Sequence, residues 1–140
     1  MQSTRRPPHR IFHVVYTLPA PIADIAFTNK AVVYDILFRA TAQTLLSIAA
    51  DPQRLGVEIG FFAVLHSWGQ NLHFHPHLHC VVAGGGLSPG TDRWIHARPR
   101  FLLPVRVLSA RFRRLFLEAL EQAYAAFLAE RADIGLLLNP

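Results

Sequence analysis

The stretch VEIGFFAVLHSWGQNLHFHPHLHCVVA, residues 57–83, decides the fold that we expect for this chain. Residues 57–68 and 77–83 are apolar runs rich in β-branched and aromatic side chains, which are typical of strands. Residues 69–76 are few enough to connect them as a hairpin. Four histidines alternate in and just before the second run: His73, His75, His77 and His79. The stretch therefore predicts two neighbouring antiparallel strands that carry a concentration of imidazole groups.

The flanking segments predict one further strand and two helices. Residues 11–19 are β-branched and aromatic and are bounded by prolines, so they predict a first strand. Thr28 or Asn29 can cap a helix that runs to about residue 50. A second helix over about residues 109–130 is indicated by apolar residues at helical spacing.

Between the last of these strands and the second helix, the sequence predicts irregular structure. The three glycines at 84–86 and the residues after them predict a loop, followed by weak extended pieces at 93–97 and 100–105. The order β-α-β-β-(β)-α indicates an α/β (α+β) fold: a mostly antiparallel sheet with helices on one side, in an incomplete split βαβ or ferredoxin-like layout. We expect residues 1–10 to form a disordered basic arm and residues 11–140 to form one domain.

Composition narrows the class of protein. At 140 residues, 51% of them hydrophobic, the chain is about one domain with enough apolar material for a core. No apolar run approaches the length of a membrane span, and no signal peptide is evident. Cys80 is the single cysteine, which excludes an internal disulfide and fits a reducing cytoplasm. The net charge of +5 comes almost wholly from arginine, since Lys30 is the only lysine; this indicates either a nucleic-acid partner or a genomic preference for arginine codons.

The alternating histidines predict a metal site. In a strand that begins near Pro76, His77 and His79 point to the same face, about 6.5 to 7 Å apart, while the two earlier histidines stay in the approach loop. Two imidazoles at this separation can lean toward one ion, and imidazole suits zinc, manganese and several other metals. His66 is a candidate third ligand if the hairpin pairs it opposite His77, and Gln70 is a second candidate.

Two families resemble this stretch. Locally, HPHLHCV at 75–81 matches the pattern of the histidine-triad nucleotide hydrolases, which would make His77 a nucleophile that needs no metal. Over nearly the whole chain, the sequence resembles the rolling-circle insertion-sequence transposases of the HUH endonuclease group. The blocks that carry this resemblance are FHVVYTLP at 12–19, DILFRATAQTLLSIAADP at 35–52, GFFAVLHSWGQNLHFHPHLHCVVAGGGLSP at 60–89, and RWI followed by FLLPVRVLS. Several long blocks in the right order outweigh one short motif.

The transposase resemblance implies a chemistry. His77 and His79 would be the HUH pair that holds a divalent ion, Mg²⁺ or Mn²⁺, against the scissile phosphate. A tyrosine hydroxyl would attack phosphorus, forming a covalent 5′-phosphotyrosine and releasing a 3′-hydroxyl, and strand transfer would reverse that step on a new hydroxyl. The DNA would be single-stranded or an extruded hairpin, held by arginines and by stacking on aromatic rings.

The chain departs from the family in two features. Relatives begin with a cysteine-rich zinc-binding module and carry paired tyrosines on a helix downstream of the histidines. One cysteine cannot form that module, and only Tyr124 lies downstream, since Tyr16 and Tyr34 precede the histidines. We therefore expect a truncated transposase that keeps the metal-binding half of the nuclease core and lacks the zinc-binding module and the nucleophilic tyrosines. Tyr124 is the one downstream candidate for a nucleophile, but its place on or beside the apolar stripe of the second helix favours a structural role. A non-catalytic DNA-binding remnant is the alternative.

An arginine-rich segment predicts the DNA-binding surface. Between residues 93 and 114 there is no acidic residue, and several arginines fall in the first turns of the second helix, where the macrodipole disfavours positive charge. Bound phosphates would neutralise them; the alternative is a solvated face. Trp94 and His96 interleave with the arginines and are positioned to stack on bases, unless Trp94 belongs to the core. The arginines are Arg93, Arg98, Arg100, Arg106, Arg111, Arg113 and Arg114.

Overall fold

The computed structural model describes residues 10–69, 71–98 and 102–138, with side chains through residue 132. In chain order its elements are β1 (Ile11–Thr17), α1 (Ala20–Thr28), α2 (Lys30–Ala50), β2 (Glu58–Trp68), β3 (Phe74–Leu87), β4 (Trp94–His96) and α3 (Val105–Leu138). Apart from Arg10, the predicted N-terminal arm lies outside the described residues.

The strands form one antiparallel sheet with β3 at its centre. β1 and β2 pair with β3 on either side, and β4 pairs with the C-terminal end of β3. β2 and β3 are the hairpin that the sequence predicts, joined across residues 69–73. The predicted class, a mostly antiparallel sheet combined with helices, is therefore confirmed.

The helices cover one face of this sheet, and no described helix covers the other. Alternate residues of β3, among them Leu78, Cys80 and Val82, are fully buried in one apolar cluster with residues of α2 and α3. Tyr16 of β1 faces the same way and stacks on Phe112 of α3, with ring centroids 4.5 Å apart. Burial raises the pKa of the Cys80 thiol to about 11, which keeps the thiol uncharged at neutral pH.

The three glycines are part of β3 and not of a loop, which corrects the sequence prediction. A Cβ on Gly84, Gly85 or Gly86 would come under 3.0 Å from a backbone carbonyl oxygen of a neighbouring segment: that of Arg10, Ile95 or Glu58, respectively. Glycine is required here because adjacent backbones approach too closely for any side chain. In an isolated sequence the same residues look like a turn.

β3 also begins earlier than predicted, at Phe74, so that His75 lies in the strand and only His73 stays in the loop. Pro76 has no amide hydrogen and cannot donate a hydrogen bond to a neighbouring strand. It is tolerated because the pairing of β3 with β2 is irregular at this point, between His66 and Trp68 of β2. Its carbonyl oxygen accepts a hydrogen bond from the Leu18 amide at 3.3 Å.

The helices differ from the prediction in one added helix and in the longer bounds of α3. α1 was not predicted; it begins after Pro19 and has a proline within its first two positions, where the missing amide donor costs nothing. α2 lies within its predicted bounds and begins at Lys30, with Asn29 at the N-cap position; the Asn29 side chain makes no capping bond and donates to the carbonyl oxygen of Ile25 at 3.0 Å. α3 begins at Val105, immediately after Pro104, so residues 102–105 are not the extended piece that the sequence predicts; residues 100 and 101 lie outside the described part.

One described helix, α2, is long and apolar enough to cross a membrane when judged by length and composition alone. It was not recognised as such in the sequence. Nine of its residues, including Leu37 and Leu45, are buried against the rest of the molecule, so packing in the core accounts for its apolar character.

Candidate metal centre

Strand register brings the imidazoles together on the open face of the sheet. His66 of β2 lies directly opposite His77 of β3, which is the register that the sequence analysis required. His79 lies two residues further along β3 and therefore on the same face. His13 of β1 pairs with Val81 of β3, so its side chain is the diagonal neighbour of His79 from the other side.

His66, His77 and His79 have the geometry of a three-point metal site. One ring nitrogen from each lies within 4.8 Å of the other two, and the ring centroids of His66 and His79 are 4.2 Å apart. Two nitrogens bound to one ion at about 2.1 Å each are separated by at most about 4.2 Å. Small side-chain rotations would therefore bring all three nitrogens within bonding distance of one ion. His66 is exposed and the other two are half-buried, which leaves the cluster open to solvent on one side.

Hydrogen bonds orient two of the three rings. Nδ1 of His77 lies 2.6 Å from the carbonyl oxygen of His75, which can only accept, so in the neutral imidazole Nδ1 carries the proton and Nε2 has the lone pair. Nδ1 of His79 lies 2.7 Å from Nε2 of His13. If His79 donates in this bond, its Nε2 also presents a lone pair. Such bonds to the outer nitrogen are typical of metal-ligating histidines.

Partial desolvation lowers the pKa of His79, and the neighbouring His66, His77 and His13 lower it further because like charges would repel. The lowered pKa favours the neutral form of the His79 imidazole, which is the form that binds metal ions.

Two histidines of this surface were not predicted as site residues. His75 extends the row on β3, with its ring centroid 5.3 Å from that of His77. His13 stacks on His79 at 4.8 Å. The available signal for His13 was a polar residue in an apolar strand, but the sequence does not reveal that β1 lies beside β3. Gln70, the other predicted ligand, lies outside the described residues.

The three tyrosines all lie away from the imidazoles. Tyr16 is buried on the helical face, where burial raises the pKa of its hydroxyl. Tyr34 of α2 is within hydrogen-bond distance of Ser67 Oγ, at 3.2 Å. Tyr124 is 63% exposed on α3, the helix that packs against the face opposite the histidines.

The predicted DNA-binding arginines are distributed over the helical side and the β4 end of the sheet. Arg106, Arg111 and Arg114 line a groove between α2 and α3 together with Arg54, which the sequence analysis did not single out. Arg98 lines a neighbouring cavity that Arg54 also borders. Trp94 is 47% exposed and not part of the core. The remaining arginines are Arg93 and Arg113, both exposed, and Arg100, which lies outside the described residues.

Solved structures share this fold. The conjugative relaxase TrwC, in a copper-bound structure in complex with oriT DNA, superposes with a TM-score of 0.62 at 17% identity, over 79% of this chain and 42% of the relaxase chain. A metal-bound TrwC structure with oriT DNA gives the same TM-score and covers 43% of that chain. The architecture is therefore that of the relaxase domain.

Sequence relatives identify the family. The transposase y4qJ of Sinorhizobium fredii (strain NBRC 101917 / NGR234), described as "Putative transposase", is 70% identical over 113 residues, which are 81% of this chain and 28% of the relative. The transposase for insertion sequence element IS801 of Pseudomonas savastanoi pv. phaseolicola is 38% identical over 88 residues, 63% of this chain and 20% of the relative. The chain thus spans less than a third of either relative.

Residues 60–135 match the family model Y2_Tnp, described as "Putative transposase", and the chain belongs to this transposase family. The resemblance to the rolling-circle transposases of the HUH group is thereby confirmed. The histidine-triad hydrolase alternative is not favoured, because both sequence relatives are transposases and the fold is that of a relaxase.

Proposed function

We propose that this chain is the metal-holding part of a transposase nuclease core, which acts in the cytoplasm on single-stranded or hairpin DNA. The observation that carries the proposal is the convergence of His66, His77 and His79 on an open sheet face in a member of a transposase family. The relaxase neighbours support it, because their structures contain oriT DNA and, in two of them, bound metal.

The donor set supports a divalent ion held by His66, His77 and His79. When bound, the ion would polarise a phosphodiester and offset the charge that develops on its oxygens. Of the two ions considered, three imidazoles favour Mn²⁺ over Mg²⁺, because Mg²⁺ binds oxygen ligands and keeps its water. Half-burial of His77 and His79 and exposure of His66 leave room for a phosphate beside the site.

Exposed aromatic rings of β2 support a single-stranded substrate. Phe62 is 62% exposed at an outward position of β2 on the side of His66. Trp68, at the end of β2, is 55% exposed, and its ring contacts that of Phe74 with centroids 5.6 Å apart. Val64, opposite His79, is also exposed. A strand of unpaired bases would stack on such rings while its backbone passes the histidines.

The positions of the tyrosines support a role in metal and DNA binding and not as the nucleophile. Tyr16, Tyr34 and Tyr124 belong to the helical side of the sheet, whereas a phosphate at the histidines would lie on the other side. We propose that the attacking hydroxyl is not one of these three. This arrangement therefore best supports a chain that binds metal and DNA but does not cleave DNA by itself.

Metal-dependent DNA binding tests the proposal. We expect Mn²⁺ to tighten binding of a fluorescein-labelled single-stranded oligonucleotide by about tenfold. A His77→Ala/His79→Ala double variant should show no such gain, measured by fluorescence anisotropy with and without Mn²⁺. Metal-independent binding of the oligonucleotide by the wild-type chain would contradict the proposal.

His13 is expected to act as a positioning residue for the metal site. His13→Ala removes the partner of His79 Nδ1, which lies 2.7 Å from His13 Nε2, and loss of such an outer bond costs about tenfold or more in metal affinity. His13→Gln should restore part of it because its amide oxygen can reach the position of His13 Nε2 and accept a hydrogen bond there. The readouts are the Mn²⁺ dissociation constant, measured by electron paramagnetic resonance, and the ¹⁵N shifts that report the tautomer of His79.

His75→Ala is the matched control for His13→Ala. His75 also adjoins the cluster, but it orients His77 through its backbone carbonyl, which the substitution keeps. We expect an unchanged Mn²⁺ affinity in this variant. Equal losses in both variants would show that neither side chain acts through a specific hydrogen bond.

A further inference from the structure

A groove on the helical side of the molecule concentrates positive charge. It lies between the C-terminal end of α2 and the first turns of α3 and has a volume of about 570 Å³. Four arginines line it: Arg54, Arg106, Arg111 and Arg114. Arg111 and Arg114 are three residues apart and therefore neighbours on one side of α3, and Arg106 lines the same groove one turn closer to the start of the helix.

This charge is only partly neutralised within the described part of the chain. The single ion pair among the described residues joins Arg39 to Asp35, away from the groove. Asp51 is the one acidic residue among the described groove residues, and its Oδ1 accepts a hydrogen bond from the Gln53 amide at 2.9 Å. Three positive charges therefore remain in excess in the groove.

Arg111 adds an unsatisfied donor to this surface. Its Nε is buried and has no hydrogen-bond partner among the described residues. Arg111 also lines the groove, so a phosphate oxygen entering there would supply an acceptor and a compensating charge at once.

We propose that this groove binds the phosphate backbone of duplex DNA, at a site separate from the histidine cluster. Duplex is favoured because the described residues that line the groove include no aromatic ring, so the groove offers phosphate contacts without a stacking platform for unpaired bases. The sheet separates the two sites, since the histidines lie on its open face and the groove lies between the helices. This inference rests on the proposed function in one respect: the polyanion that binds the groove is taken to be DNA.

Such an arrangement would let one chain hold two DNA segments at once. The single strand would pass the histidines while adjoining duplex lies along the helices. Arg98, in the neighbouring cavity that Arg54 borders, would extend the duplex contact toward β4.

Charge-matched variants test the groove. Arg106 and Arg114 are both exposed, so an Arg106→Gln/Arg114→Gln variant should fold normally. The control is Arg39→Gln/Arg131→Gln, which removes the same charge from exposed positions outside the groove. Binding of a labelled blunt duplex is measured by anisotropy in EDTA, over a series of salt concentrations.

We expect the groove variant to lose at least about tenfold in duplex affinity at low salt and to show a salt slope smaller by about two, one for each phosphate contact removed. The control should lose little. Equal losses in the two variants would overturn the groove as a site, because nonspecific charge would then explain the binding.

The Mn²⁺-dependent gain in single-strand binding distinguishes this inference from the proposed function. That gain should persist in the groove variant and vanish in His77→Ala/His79→Ala, whose duplex binding in EDTA should be unchanged. If the histidine variant loses duplex binding as well, the two sites are one and the inference is wrong. If Mn²⁺ has no effect on the wild-type chain while the groove variant still loses duplex binding, the proposed function fails and the groove stands.

Discussion

Saturating Mn²⁺ is expected to raise the melting temperature of the wild-type chain by about 10 °C and to leave that of a His77→Ala/His79→Ala variant unchanged. An ion at about one hundred times its dissociation constant stabilises the folded state by about 2.7 kcal/mol. For a domain of this size, each kcal/mol shifts the midpoint by about 4 °C. The assay is thermal unfolding followed by circular dichroism, with and without the ion.

The matched control removes two histidines that lie outside the three-residue cluster. His73, in the loop before β3, and His96, in β4, are both exposed, and His73→Ala/His96→Ala should keep the full Mn²⁺ shift. A His66→Ala variant should retain part of it, because two ligands remain. A full shift in the double variant of the cluster would show that the ion binds elsewhere.

The placement of His77 and His79 on one face of the sheet was predictable because it depends on local periodicity. Alternation along β3 places His77 and His79 on one face, whereas His66 joins them only in the hairpin register that puts it opposite His77. His13 was not predictable in this way. It reaches the cluster only because β1 pairs with β3 across more than sixty intervening residues, with Val15 opposite His79.

The fold was predicted less well where the secondary structure of a residue depends on contacts with segments that are distant in sequence. The hairpin and α2 follow from periodic apolar patterns, which a single sequence displays directly. α1 was missed because Pro21 suggests an interruption, although a proline in the first turn of a helix is favourable. The glycines of β3 were assigned to a loop because the backbones that crowd them, at Arg10 and Glu58, are distant in sequence.

Gly86→Ala is expected to destabilise the chain by about 3 kcal/mol, near the upper end for overpacked sites. A Cβ there would come under 3.0 Å from the carbonyl oxygen of Glu58 and from a methyl group of Val57. Val57 is fully buried, and Glu58 is paired in the central β2–β3 ladder, so neither atom can move aside without loss of packing or pairing. Gly60→Ala in β2 is the control, because an added Cβ meets nothing within 4 Å. Urea unfolding should show a large fall in the midpoint for Gly86→Ala and almost none for Gly60→Ala; similar midpoints would mean that residues 84–86 are the loop that their sequence suggests.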